Sequence, residues 1–183
     1  MPVKSNFAAG NILTASDTNT YLTNGGLVYI TEATIGSAVS TVTVSNCFSA
    51  TYDNYIITVS GGTCSASGNT FTMTLGATAT GYYTSMVYTS WNSVVTGAGN
   101  ANTANWSYIG ALNTNGNNAL LELMSPYLAK NTSGRSSIQN GTNYGGTTNL
   151  WLNNTTSYTS FTLGTTAGTI TGGVVRVYGF RQA

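Results

Sequence analysis

Residues 169–181 read TITGGVVRVYGFR, and this stretch decides the fold. It combines a paired glycine with a run of β-branched and aromatic residues and two arginines. Gly172 and Gly173 permit backbone geometry that side chains forbid, so a bulge or sharp bend is expected where the strand begins. Beyond the bend, Val175 and Val177 share one face while Val174, Arg176 and Tyr178 share the other. Neither face is purely polar. Such a strand belongs in the middle of a sheet, with one side on a core and the other against a second chain.

Working outward, the same grammar recurs. Short strands are expected at Leu27 to Thr31, Val39 to Val44, Tyr52 to Ser60, Thr70 to Leu75, Tyr82 to Trp91, Trp106 to Leu112, Ala119 to Met124, Arg135 to Asn140, Asn149 to Leu152 and Ser157 to Leu163. The clearest alternation is Thr70 to Leu75, with Phe71, Met73 and Leu75 inward. Glycine- and asparagine-rich loops are expected at Thr96 to Asn105 and Asn140 to Thr147, and Pro126 ends the strand before it. Strands at this spacing point to an all-β antiparallel β-sandwich. Long connections without regular two-residue hairpins favour a jelly-roll-like arrangement.

Composition narrows the function. Charged residues are 5% of the 183, against about 25% in ordinary domains. Solubility must come from 33 Thr, 21 Asn and 19 Ser. A net charge of +1 offers no field for a polyanion, so nucleic acid is not an expected partner. No apolar run is long enough to span a bilayer, and MPVKSNFAAG lacks the apolar core of a signal peptide, so synthesis in the cytoplasm without membrane insertion is expected. Cys47 and Cys64 are read as small buried thiols.

Catalytic chemistry has few carriers. There is no histidine, which excludes Ser-His and Cys-His pairs and most zinc sites. Of the four carboxylates, Asp17 reads as a helix cap and Asp53 as a turn residue, leaving Glu32 and Glu122 as a remote glycosidase pair. No calcium loop or phosphate-binding glycine motif occurs, so neither enzyme activity nor a cofactor is expected. What remains is recognition. Tyr82, Tyr83, Trp91, Trp106, Tyr144 and Trp151 lie in or beside loops rich in Asn and Gly, a combination able to stack on sugar rings and hydrogen-bond their hydroxyls. Trp91 and Trp106, in strand phase, are expected to fill the core or a subunit interface. This leaves Tyr82, Tyr83, Tyr144 and Trp151 as the candidate glycan or partner surface.

Residues 1–26 differ from the body, 27–183. Ser16 or Asp17 can cap a short helix whose apolar face includes Tyr21 and Leu22, with Gly25 and Gly26 ending it. A helix so short requires docking. Phe7, Leu13, Tyr21 and Leu22 are the candidate attachment residues.

The segment FAAGNILTASDTNTYLTNGG resembles the head segment of many tailed-bacteriophage fibre and appendage proteins, through Phe7, Gly10, Leu13, Thr14, Ala15, Ser16 and Asn19. CFSATYDNYIITVSG from Cys47, LELMSPYLAKNTS from Leu121 and TSFTLGTTAGTITGGVVRVYGFR from Thr159 are similar to phrases of the same small phage proteins. The resemblance implies a virion structural protein, commonly trimeric, with an N-terminal segment attaching it to other virion proteins and a β-rich body facing solvent or host glycan. It carries no catalytic residues. A tail fibre and a capsid decoration or cement protein are both compatible with it; a polysaccharide depolymerase is the more distant alternative. In a homotrimer, Glu122, Arg176 and Tyr178 are the candidate interface, with Arg176 and Glu122 able to pair across it.

Overall fold

The computed structural model describes residues 26–141 and 143–180, and within them the chain is all β, with no helix. The attachment residues Phe7, Leu13, Tyr21 and Leu22, and the short helix expected beside them, lie outside the described residues.

The strands are β1 (Leu27–Thr34), β2 (Thr41–Val44), β3 (Asn54–Ser60), β4 (Thr63–Cys64), β5 (Asn69–Leu75), β6 (Tyr82–Ser90) and β7 (Val95–Thr103), followed by β8 (Ala111–Leu112), β9 (Asn118–Met124), β10 (Thr132–Asn140), β11 (Tyr144–Leu152), β12 (Phe161–Thr165), β13 (Ile170–Thr171) and β14 (Val174–Phe180). All pairings are antiparallel. Eight strands run side by side in the order β1, β14, β3, β9, β10, β11, β6, β7, while β2, β12 and β5 form a smaller layer that joins β9 through β8.

The two layers enclose a core built by alternation. Tyr55, Ile57 and Val59 of β3, Leu121 and Leu123 of β9, and Val175 and Val177 of β14 meet Phe71, Met73 and Leu75 of β5 and Phe161 and Leu163 of β12, all buried. Phe48 stitches the layers together, edge-on to Tyr55 at 4.8 Å and stacked with Phe161 at 5.7 Å. β14 is central, paired on both sides, and its faces divide as expected. The bend is also present: Gly172 and Gly173 have φ of +70° and +96° and separate β13 from β14. There the chain passes so close to Gly62 that a Cβ on Gly62 would lie 2.0 Å from the Gly172 carbonyl oxygen.

The far half of the large sheet is covered differently. Trp106 to Leu112, expected as a strand, is mostly irregular, with a single bridge at Trp106 to Met73 and two strand residues, Ala111 and Leu112. Trp106 O and Gly110 O accept from the Met73 and Phe71 N–H groups, while the two carbonyls between them that face the large sheet find side chains. The Thr148 hydroxyl donates to Tyr108 O at 2.9 Å, and Ser136 donates to Ile109 O. These inward hydroxyls replace the missing backbone donors.

Two expected loops are strands. Thr96 to Asn105 falls largely in β7, which pairs with β6, and Gly145 to Thr147 belong to β11, whose pairing with β10 extends to Asn140 and Tyr144. Neither segment carries apolar alternation, because β7 is an exposed edge and the glycines of β11 pack under neighbours. Backbone pairing with β6 decides both cases.

Candidate functional site

The outer face of the eight-stranded sheet is the largest concentration of unburied apolar surface. It is built by register. One row runs Tyr29, Tyr178, Ile56, Glu122, Arg135, Asn149, Ser85, Gly99 across all eight strands. The next runs Glu32, Arg176, Thr58, Leu120, Ser137, Thr147, Val87, Gly97. A register shift between Tyr29 and Thr31 makes both rows possible, since an extra residue in β1 turns Glu32 onto the face that Tyr29 also occupies.

Of the eleven exposed large apolar side chains among the described residues, eight sit here: Leu27, Tyr29, Tyr83, Val87, Leu120, Met124, Trp151 and Phe180. They form two aromatic clusters. At the β1–β14 side, Tyr29 and Tyr178 meet edge-to-face at 5.9 Å beside Leu27 and Phe180. At the β11–β6 side, Trp151 lies directly opposite Tyr83, in a hollow shared with Asn100 and Asn149. Leu120 and Met124 of β9 lie between them.

The charges on this face cancel within the chain. Arg135 grips Glu122 with two bonds, Nε to Oε2 at 2.7 Å and Nη2 to Oε1 at 3.1 Å, and this pairing raises the arginine's already high pKa. Arg176 Nε donates to Glu32 Oε2 at 3.1 Å, and its Nη1 donates to Ser60 Oγ at 3.2 Å. Arg176 and Glu122, expected to face each other between copies, each have a cross-strand partner inside one chain. The signal was present in sequence: Glu122 and Arg135 occupy outward positions of adjacent strands, but only the register brings them opposite.

The aromatic candidates divide. Tyr83 and Trp151 are exposed, 37% and 45%, on the sheet face. Tyr82 is fully buried and cannot meet a ligand. Its hydroxyl accepts the Leu75 N–H at 2.7 Å and donates to Thr78 O at 3.2 Å, and burial pushes its pKa up to about 12. Strand phase explains the difference, since neighbours in β6 point to opposite faces. Tyr144 is half-buried, its hydroxyl accepting from Asn140 Nδ2 at 3.2 Å and its ring tilted on Tyr88 at 4.9 Å; burial raises its pKa. Trp106 is fully buried, in a segment that is not a regular strand. Trp91 is the correction: it lies one residue past β6, in the turn to β7, and is 60% exposed.

Cys47 and Cys64 are free and buried, and burial pushes the Cys47 thiol up to about 12. Among the described residues no group of three or more His, Cys, Asp or Glu is placed to hold a metal ion, and no helix is long and apolar enough to cross a membrane. Compared with known proteins, the chain matches no family model, no curated protein and no solved structure.

Proposed function

We propose that the chain is a non-enzymatic structural protein of a tailed-bacteriophage virion: a homotrimeric, fibre-like surface appendage with a jelly-roll-like body, attached to other virion proteins through residues 1–26. The observation that carries this reading is the outer sheet face. Seven intervals of about 4.8 Å make it roughly 34 Å wide, and the rows from Leu27 to Glu32 make it about 17 Å tall. That footprint is on the order of 600 Å²; shared between the two neighbours of a ring it supplies about 300 Å² to each contact, against ~800 Å² per partner in a standard stable interface, so surface outside the sheet face adds to each contact. With its charges paired inside each chain, the face does not repel a copy of itself. Its two unlike aromatic clusters suit a head-to-tail contact, in which the β1–β14 side of one copy meets the β11–β6 side of the next and the ring closes at three. The phage-like phrases of the sequence supply the setting, the virion.

A capsid decoration protein is the second reading, supported by the breadth of the same face, which would lie against head subunits. Removing residues 1–26 separates the two: lost host attachment with intact heads favours the appendage, and lost capsid stability favours the decoration protein. Glu32 and Glu122 lie in separate rows, each hydrogen-bonded to an arginine on an open sheet face; that arrangement speaks against a depolymerase.

Light scattering tests assembly. The wild-type chain at micromolar concentration is expected at three times its 19.0 kDa mass, and Leu120→Lys with Val87→Lys is expected to give the folded monomer. A wild-type monomer overturns the trimer.

A further inference from the structure

At the end of the sandwich remote from Leu27 and Phe180, four turns converge. The β6–β7 turn brings Trp91, the β8–β9 turn Asn113 and Asn115, the β10–β11 turn Asn143, and the β4–β5 turn Ser67; Asn118 and Gln139 complete the wall from the strand ends. They surround an open hollow of about 530 Å³, within the ~300–1,000 Å³ range of small-ligand sites. Among the described residues no charged side chain lines it.

The indole is held in place. Its Nε1 donates to Gly141 O at 3.0 Å, and its six-membered ring lies against Gly145, where an added Cβ would come within 3.1 Å of it. Glycine at 145 therefore lets the ring lie down on the sheet end while Trp91 stays 60% exposed. The opposite wall is equally fixed. Thr114 N donates to Ser67 Oγ at 3.2 Å, the two hydroxyls meet at 2.9 Å, and Asn113 N donates to Asn117 Oδ1 at 3.1 Å. Asn115, Asn118, Gln139 and Asn143, by contrast, make no side-chain hydrogen bond among the described residues. Each offers one acceptor and two donor hydrogens toward the hollow.

We propose that this hollow binds an uncharged sugar unit of a surface polysaccharide, with Trp91 as the stacking platform and the four open amides reading its hydroxyls. A pyranose ring presents what this arrangement lacks: an apolar C–H face for the indole and a rim of hydroxyls, each donor and acceptor at once, for the amides. An anionic sugar would find no cation here. The site lies at the opposite end of the body from Leu27, at the upper margin of the outer sheet face, one row beyond Leu120, Ser137 and Thr147. The inference deepens the appendage reading and rests on it for the source of the sugar; the chemistry of the hollow stands on its own.

The test uses the full chain with the methyl glycosides of glucose, galactose, mannose and N-acetylglucosamine, and sialic acid as anionic control, followed by saturation-transfer NMR. At least one neutral glycoside is expected to receive saturation, equally at 50 and 500 mM NaCl. Trp91→Ala is expected to weaken it about tenfold, Asn118→Ala and Gln139→Ala to weaken it less, and Trp151→Ala on the sheet face to leave it unchanged. Absence of transfer to every neutral glycoside overturns the proposal, as does transfer that is undiminished in Trp91→Ala or is lost in Trp151→Ala. Mass measured on the same samples keeps the two readings apart: a trimer that binds no sugar refutes only the site, and a monomer that binds it refutes only the assembly.

Discussion

Replacing Trp106 is expected to loosen the whole body, because this one side chain ties the small layer to the far half of the large sheet. Its backbone exchanges two bonds with Met73 of β5, each 2.9 Å; its Nε1 donates to Trp151 O of β11 at 3.0 Å; and its ring stands edge-on to Tyr82 of β6 at 5.2 Å. Trp106→Phe removes the indole donor and part of the ring volume while keeping the backbone bridge. The lost buried hydrogen bond and the small void together cost about 2 kcal/mol. Trp106→Ala removes the whole ring and costs about 3–5 kcal/mol. With a urea dependence of about 2 kcal/mol per molar, the midpoint falls by ~1 M for the first and ~2 M for the second. Circular dichroism is the appropriate probe, since fluorescence would be changed by the substitution itself, and all samples must share one protein concentration because association adds to apparent stability. Trp91→Phe, at an exposed position, serves as the control and is expected to shift the midpoint by less than ~0.3 M. If Trp106→Phe unfolds together with the wild type, or the control moves as far as it does, the assignment of Trp106 as the tie is wrong.

Alkaline titration probes the neighbouring ring. The Tyr82 phenol is held near 12 in the folded chain, against ~10 when unfolded, so its contribution is complete below pH 10 and lost as pH rises from about 10 to about 12. Roughly 2–3 kcal/mol should disappear over that interval, and Tyr82→Phe should flatten that part of a stability-against-pH curve. Gly62→Ala places a methyl group against the Gly172 carbonyl at a φ of +71°. A loss of at least about 2 kcal/mol follows, seen as a melting temperature lower by ~4–8 °C.

The sequence was most readable where burial imposes a period. Phe71, Met73 and Leu75, or Val175 and Val177, alternate because one side of each strand must be dry, and all are buried. The glycine pair before β14 was readable for a different reason, since few backbone geometries require two glycines in succession. Strands without a dry side escaped. β7 reads VTGAGNANT, and nothing in those letters announces a strand; its partner β6 does. The candidate sites failed at the same boundary. Tyr82 and Tyr83 are equivalent as letters, and only the phase of β6 sends one inward. Trp91 escaped because it shares the outward parity of Tyr83 and lies in the turn after β6, where it stays exposed. The ion pairs of the outer face depend on register between strands distant in sequence, such as Glu32 with Arg176, and a linear reading contains no register.

The glycine- and asparagine-rich character of β7 has a consequence for how copies of this protein accumulate. Among the described residues β7 is a margin of the large sheet, paired only to β6, with a register break between Tyr82 and Thr84. A margin made of Gly, Ala, Asn and Thr, interrupted by that break, gives an incoming strand little to zip onto. Growth of the sheet from molecule to molecule, the route to endless fibrils, is discouraged at that side. A flat apolar face can then meet its partner without the sheet itself being extended at this margin.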